Sequence, residues 1–139
     1  MNEEDKKIYE KLIKLGMTEE QIKNAFDTNL NLKKVLDIDV MQIILFLIKS
    51  YNLTQEEIAK IASKNPWILT ESFERMRYLE ESYNNLEIDI KQLLIKQPIA
   101  MSLNPKTLED FIQELREKSK TDEEIKLVIL NELNEHFSI

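Results

Sequence analysis

The chain has 139 residues, 42% hydrophobic and 32% charged, with 19 basic against 26 acidic side chains for a net charge of −7. That length suits one domain able to bury about two thirds of its unfolded surface, and the apolar content excludes a disordered chain. One glycine and three prolines exclude a turn-rich sheet protein, the absence of cysteine removes disulfides, thiolate chemistry and zinc fingers, and the acidity is the wrong sign for a generic nucleic-acid or anionic-membrane binder.

The chain opens on Met1-Asn-Glu-Glu-Asp-Lys-Lys, which resembles neither a signal peptide nor an arginine-rich transit peptide, and with no cysteine the expected compartment is the cytoplasm. Ile8, Leu12, Ile13 and Leu15 predict the apolar face of a first helix, closed by Gly16, the only glycine. Thr18 then caps a second helix, with Gln21 completing a capping box.

Thr18-Glu-Glu-Gln-Ile22 returns as Thr54-Gln-Glu-Glu-Ile58 and Thr121-Asp-Glu-Glu-Ile125, with Leu86-Glu-Ile-Asp-Ile90 as a degraded copy. The isoleucines are 36, 32 and 35 residues apart (58−22, 90−58, 125−90). Such a period predicts an all-α helical repeat array of about four helix-pair units, forming a single domain over residues 1–139. The handedness of any superhelix stays open. In the degraded copy the cap is expected to be lost or to shift to Asn85.

Between the phrases, Val40 to Ile48 is a nine-residue apolar run, too short for a membrane span of about 18 residues. A helix from about Val40 to Ser50, opened by Asp37 or Asp39, is predicted there. Being apolar nearly all round, it is expected to have neighbours on both sides. Further helices are expected over about Glu71–Tyr83, from Asn104-Pro105 to about Lys118, and over about Asp122–His136. Three and four residues after each repeat isoleucine come Ala25, Phe26, Ile61, Ala62, Leu93, Leu94, Val128 and Ile129, the pattern of a buried stripe. The central copies share Asn65-Pro66-Trp67-Ile68-Leu69 and Gln97-Pro98-Ile99-Ala100-Met101. There proline ends the second helix and opens a short 3₁₀ or turn segment.

Leu15-Gly-Met-Thr-Glu-Glu-Gln-Ile22, Ile58-Ala-Lys-Ile-Ala-Ser-Lys-Asn-Pro-Trp-Ile-Leu69 and Ile90-Lys-Gln-Leu-Leu-Ile-Lys-Gln-Pro98 resemble the mitochondrial transcription termination factor (mTERF) repeat family. The resemblance covers about residues 8–133, with the proline in two of the four copies. It implies two antiparallel helices plus a 3₁₀ helix starting at the proline, stacked into a curved superhelix. It also implies non-catalytic binding of DNA or RNA.

Lys64 and Lys96 occupy one repeat position, two before each proline, and Lys60 lies a turn before Lys64 on the same face. They would begin a phosphate track, although lysine in a last helical turn also offsets the macrodipole. Arg75, Arg77 and Lys91 are the other basic residues of this region. Residues 49–106 hold eight basic and eight acidic residues, whereas residues 107–139 hold four and nine. Trp67 is either a core residue or, if exposed, a hot spot or base-stacking platform. Tyr51 and Tyr83 are expected to fill the turns between helices. With a single histidine, His136, and no phosphate loop or metal motif, no catalytic residue, cofactor or metal site is expected.

Two function classes follow. The first is a non-enzymatic binding module presenting a helical face to a protein partner or to itself. The second is an mTERF-like nucleic-acid binder using Lys60, Lys64, Arg75, Arg77, Lys91, Lys96 and Trp67. Charge favours the first and resemblance the second.

Overall fold

Four residues with positive φ punctuate the chain: Gly16 (119°), Asn52 (54°), Glu87 (59°) and Ser119 (63°). Each follows a helix: α1 (Glu3–Leu15), α3 (Asp37–Tyr51), α5 (Phe73–Asn85) and α7 (Pro105–Glu117). Two residues after each comes a capping side chain, Thr18, Thr54, Asp89 or Thr121, that starts α2 (Glu19–Thr28), α4 (Gln55–Lys64), α6 (Ile90–Lys96) or α8 (Asp122–His136). Three 3₁₀ segments, η1 (Leu30–Lys33), η2 (Pro66–Thr70) and η3 (Pro98–Met101), follow the second helices. The computed structural model describes residues 1–137. Ser138 and Ile139, the end of the domain expected from sequence, lie outside the described residues. Among those described the protein is all-α, with eight α-helices and no strand. They form two compact units, Met1–Glu71 and a second beginning at Ser72.

The left-handed residue lets the chain turn back while filling the orphan carbonyls of the helix end. Met17 N donates to Leu12 O at 3.1 Å, Ile88 N to Tyr83 O at 3.0 Å and Lys120 N to Leu115 O at 3.1 Å, the long bond of a Schellman turn. The next helix starts on a reciprocal box in three cases. Gln21, Glu57 and Glu124 donate their backbone N–H to the threonine hydroxyl at 3.1 Å and accept from the threonine N–H at 2.9–3.0 Å. Met17, Leu53 and Ile88, each just before its cap, are buried with Ile22, Ile58 and Leu93, each four residues after it. These pairs act as hydrophobic staples that fix the entry angle.

The Leu86–Ile90 phrase leads into a shorter helix than its counterparts do. Its cap is neither Leu86 nor Asn85 but Asp89, whose Oδ2 accepts from Gln92 N at 3.1 Å. Helix α6 has 7 residues where α2 and α4 have 10. Nearly one turn is missing from its start, because 3.6 residues complete a turn. Ile90 matches Ile22 when copies are aligned on the helix ends, and Leu93 matches it when they are aligned on the caps.

Other boundaries shift for similar reasons. Helix α3 begins three residues before Val40, since Asp39 reaches back to accept from Leu36 N at 3.0 Å. Ser72, accepting from Arg75 N at 3.1 Å, delays α5 to Phe73. Ile13, expected on the buried face of α1, is exposed, and Val128 is half-buried while the other seven residues of its stripe are buried.

Each unit also contains a buried amide clasp. In the N-terminal unit Asn29, fully buried at the junction of α2 and η1, donates from Nδ2 to Pro66 O at 3.0 Å and Thr70 Oγ1 at 2.9 Å, while Oδ1 accepts from Asn31 N at 3.1 Å. In the C-terminal unit Gln97 holds the same position between α6 and η3. Its Nε2 donates to Leu130 O at 3.0 Å and its Oε1 accepts from Asn134 N at 2.7 Å. Those two groups form one rung of an ordinary i→i−4 ladder, so the amide straddles a turn of α8. Tyr83, fully buried at the end of α5, donates to Ala100 O of η3 at 2.6 Å, and burial pushes its phenol pKa far above the ordinary range.

Replacing Asn29 with leucine strands the buried Pro66 carbonyl, and Gln97→Leu removes the two hydrogen bonds that Gln97 makes to α8. Each change is expected to cost about 1–3 kcal/mol, read as a lower urea midpoint. An unchanged midpoint would remove the clasp from the stabilising interactions.

The Thr121 N–H, then its hydroxyl, hold the Glu124 carboxyl below its ordinary 4.5. A lowered folded pKa means the native state binds fewer protons, so this stabilisation is present above 4.5 and is lost as pH falls through the folded value. The stability gap between wild type and Glu124→Ala should therefore be widest at neutral pH and narrow on acidification. Denaturant midpoints across that range check it.

Candidate interaction surface

The basic residues singled out by sequence divide between the two units. Lys60 and Lys64 stand one turn apart on α4, both exposed, and Lys60 pairs with Glu56 at 3.7 Å. In the C-terminal unit Arg75 is half-buried and Arg77 exposed on α5, where a two-residue separation turns them about 200° apart. Lys91, half-buried, and Lys96, exposed, are about 140° apart on α6 by the same geometry. Neither pair shares a helix face. Trp67, second residue of η2, is half-buried between the buried Pro66 and Ile68. It is therefore neither an open stacking platform nor a sealed core residue.

The α3 helix departs most from expectation. Val40, Ile43, Ile44, Leu47 and Tyr51 face the core of the N-terminal unit. The adjoining side, about 120° further round the helix, is only partly covered: Ile38 is 55% exposed and Leu45 43%, and Met41 and Ile48 are half-buried. These four fall at i, i+3, i+7 and i+10, a continuous apolar stripe along one helix face. An apolar run signals two buried sides, and the sequence held no mark that one would lack a neighbour.

The stripe borders a groove of about 220 Å³ between α1 and α3, lined by Lys11, Lys14, Leu15, Met41, Ile44, Leu45, Ile48 and Gln55. Its charged lining residues are both lysines. Lys11 pairs with Asp37 at 3.4 Å, at the start of α3. On the far border of the stripe stand Gln42 and Lys49, both exposed, within about a quarter turn of Leu45 by helical geometry.

The C-terminal unit has grooves of a different kind. One of about 420 Å³ between α5 and α7 is lined by Ser82, Asn85, Lys106, Glu109, Asp110 and Arg116 among others. Its charges are mixed: Lys106 donates to Asp110 at 2.8 Å, and that carboxylate holds the ammonium pKa above its ordinary value. His136, exposed, lies with its ring centroid 5.0 Å from that of Phe111. Among the described residues no group of three or more histidine, cysteine or acidic side chains is placed to hold a metal ion, and no helix is long and apolar enough to cross a membrane.

Compared with protein-family models, curated proteins and solved structures, the chain matches none.

The two faces of α3 should separate cleanly on substitution. Ile44→Ala is expected to cost about 2–5 kcal/mol through lost burial and a cavity, whereas Leu45→Gln should cost about 1 kcal/mol or less, as surface changes do. Thermal or urea unfolding of both variants checks this. A similar cost for both would mean that the stripe is part of the folded core.

Proposed function

We propose that this protein is a non-enzymatic α-helical binding module that presents a helical surface to a protein partner. The observation that carries the reading is the partly exposed stripe of Ile38, Met41, Leu45 and Ile48 on a helix whose adjoining face is core. Large apolar side chains aligned along one exposed helix face are what helix-mediated recognition uses. Burying one fully contributes about 1.5–3 kcal/mol before the costs of association.

A second reading, mTERF-like nucleic-acid binding, draws support from η2 and η3 beginning at Pro66 and Pro98, the arrangement the resemblance implies. The basic residues it would use are Lys60, Lys64, Arg75, Arg77, Lys91 and Lys96. The pairing of Lys60 with Glu56 and the divergent directions of the pairs on α5 and α6 weigh against a continuous phosphate track, as does a net charge of −7.

Retention experiments with the immobilised chain and an extract of its native cells separate the two. The protein reading expects a discrete polypeptide, insensitive to nuclease, lost with Ile38→Gln plus Leu45→Gln and kept with Lys64→Glu plus Lys96→Glu. Retained DNA or RNA that weakens steeply with salt and disappears in the lysine variants would overturn it.

A further inference from the structure

Building on the protein-binding reading, we infer that the occupant of the α1–α3 groove is an amphipathic helix of another protein whose apolar face is bordered by acidic residues. Ile38 to Ile48 spans ten residue steps of α3, about 15 Å at the rise of an α-helix. That length accommodates roughly three turns of a second helix, with anchors at i, i+3 or i+4, and i+7. Met41, Leu45 and Ile48 line the groove itself, and Ile38 extends the apolar surface beyond it along α3. Leu15 and Ile44 are the buried residues exposed only at its base.

Charge then selects the occupant. In a chain with net charge −7, both borders of this groove carry lysines: Lys11 and Lys14 on the α1 side, Lys49 on the other. Lys11 already pairs with Asp37, at the start of α3. A helix docked along the stripe would lay its flanking positions beside Lys14 and Lys49. Acidic flanks complement those ammonium groups, and basic flanks repel them.

The same charges argue against a second copy as occupant. Two copies meeting stripe to stripe about a two-fold axis would bring lysine border against lysine border. They would approach against the repulsion of two chains that each carry −7. A phosphate backbone suits the lysines but gives Ile38, Met41, Leu45 and Ile48 nothing to bury against.

The test uses the full chain and three fluorescent helical peptides of equal length. All carry the same leucines at i, i+3 and i+7, and their flanking positions are glutamate, glutamine or lysine. Anisotropy titrations at about 50 mM salt, where the Debye length exceeds 10 Å, should rank affinity glutamate, glutamine, lysine. The extremes should differ by about ten-fold or more, the sum of several exposed ion pairs. Raising salt to about 0.5 M should shrink the spread. Lys14→Glu plus Lys49→Glu, both surface changes, should invert the ranking, and Leu45→Gln should weaken all three peptides.

Equal binding by the three peptides, all sensitive to Leu45→Gln, would overturn the acidic partner while leaving the protein-binding reading standing. A concentration-dependent dimer in sedimentation, abolished by Leu45→Gln and with no peptide bound, would assign the stripe to a second copy and overturn the inference alone. No peptide bound and no dimer, with salt-sensitive binding of DNA or RNA, would overturn both.

Discussion

The structure depends on reversing the chain between paired helices in about three residues, with a single glycine in the whole sequence. A helix end leaves four carbonyls, and the next helix start leaves four N–H groups, without partners. Both sets must be satisfied within the same short stretch. The protein solves this by placing one left-handed residue two positions before one side-chain cap: Gly16 and Thr18, Asn52 and Thr54, Glu87 and Asp89, Ser119 and Thr121. The residue between them is buried in three cases and is Lys120 in the fourth. Glycine and asparagine adopt the left-handed region readily, whereas glutamate and serine do so at some cost. In those two turns the surrounding hydrogen bonds hold the conformation: Ile88 N to Tyr83 O, and Lys120 N to Leu115 O.

Once the reversals are fixed, the helices still have to be tied to segments far along the chain, and here buried polar groups act beside the apolar core. Asn29 binds Pro66 and Thr70, some forty residues later, and Gln97 binds Leu130 and Asn134. An amide side chain suits this task because it offers a donor and an acceptor together and so can pair with both backbone groups it meets. Apolar packing tolerates sliding, since many registers bury similar area. A buried amide with fixed partners permits only one register, because any slip leaves it and its partners unsatisfied in a low-dielectric interior. Asn65, at the end of α4, is a third buried amide at the same position.

Much of this was legible in the sequence, and the remainder was hidden for identifiable reasons. Capping boxes are local, so Thr18, Thr54 and Thr121 declared their helices within five residues, and α8 runs over the expected Asp122–His136. The 3₁₀ segments at Pro66 and Pro98 follow from the fixed φ and missing N–H of proline. The Asp89 cap was obscured because alignment on Ile90 assumes helices of equal length, and α6 lacks nearly one turn. The amides at 29, 65 and 97 fall seven residues after Ile22, Ile58 and Ile90, a regularity visible without coordinates. The long-range partners of Asn29 and Gln97 lie more than thirty residues away, beyond any local pattern. The open side of α3 is a tertiary property: periodicity tells which residues are apolar, not whether a neighbouring element arrives to cover them.

That last point gives the interaction surface its physical character. A loop carrying Ile38, Met41, Leu45 and Ile48 would have to be ordered on binding, at about 0.5–1.5 kcal/mol for each immobilised side chain in addition to its backbone. On α3 the backbone is already held, because Val40, Ile43, Ile44 and Leu47 on the adjoining face are packed in the core. The stripe is thus preorganised by the same residues that stabilise the N-terminal unit, and the partner helix proposed above would meet a rigid template. Lysines at its borders would keep an apolar strip hydrated in the absence of a partner, since lysine stems can lie along apolar surface while the ammonium groups remain in water. On the proposed docking the same ammonium groups would add selectivity, because they repel basic flanks and pair with acidic ones. Under that proposal, hydration of the strip and choice of partner would rest on one arrangement, an apolar strip on a rigid helix between cationic borders.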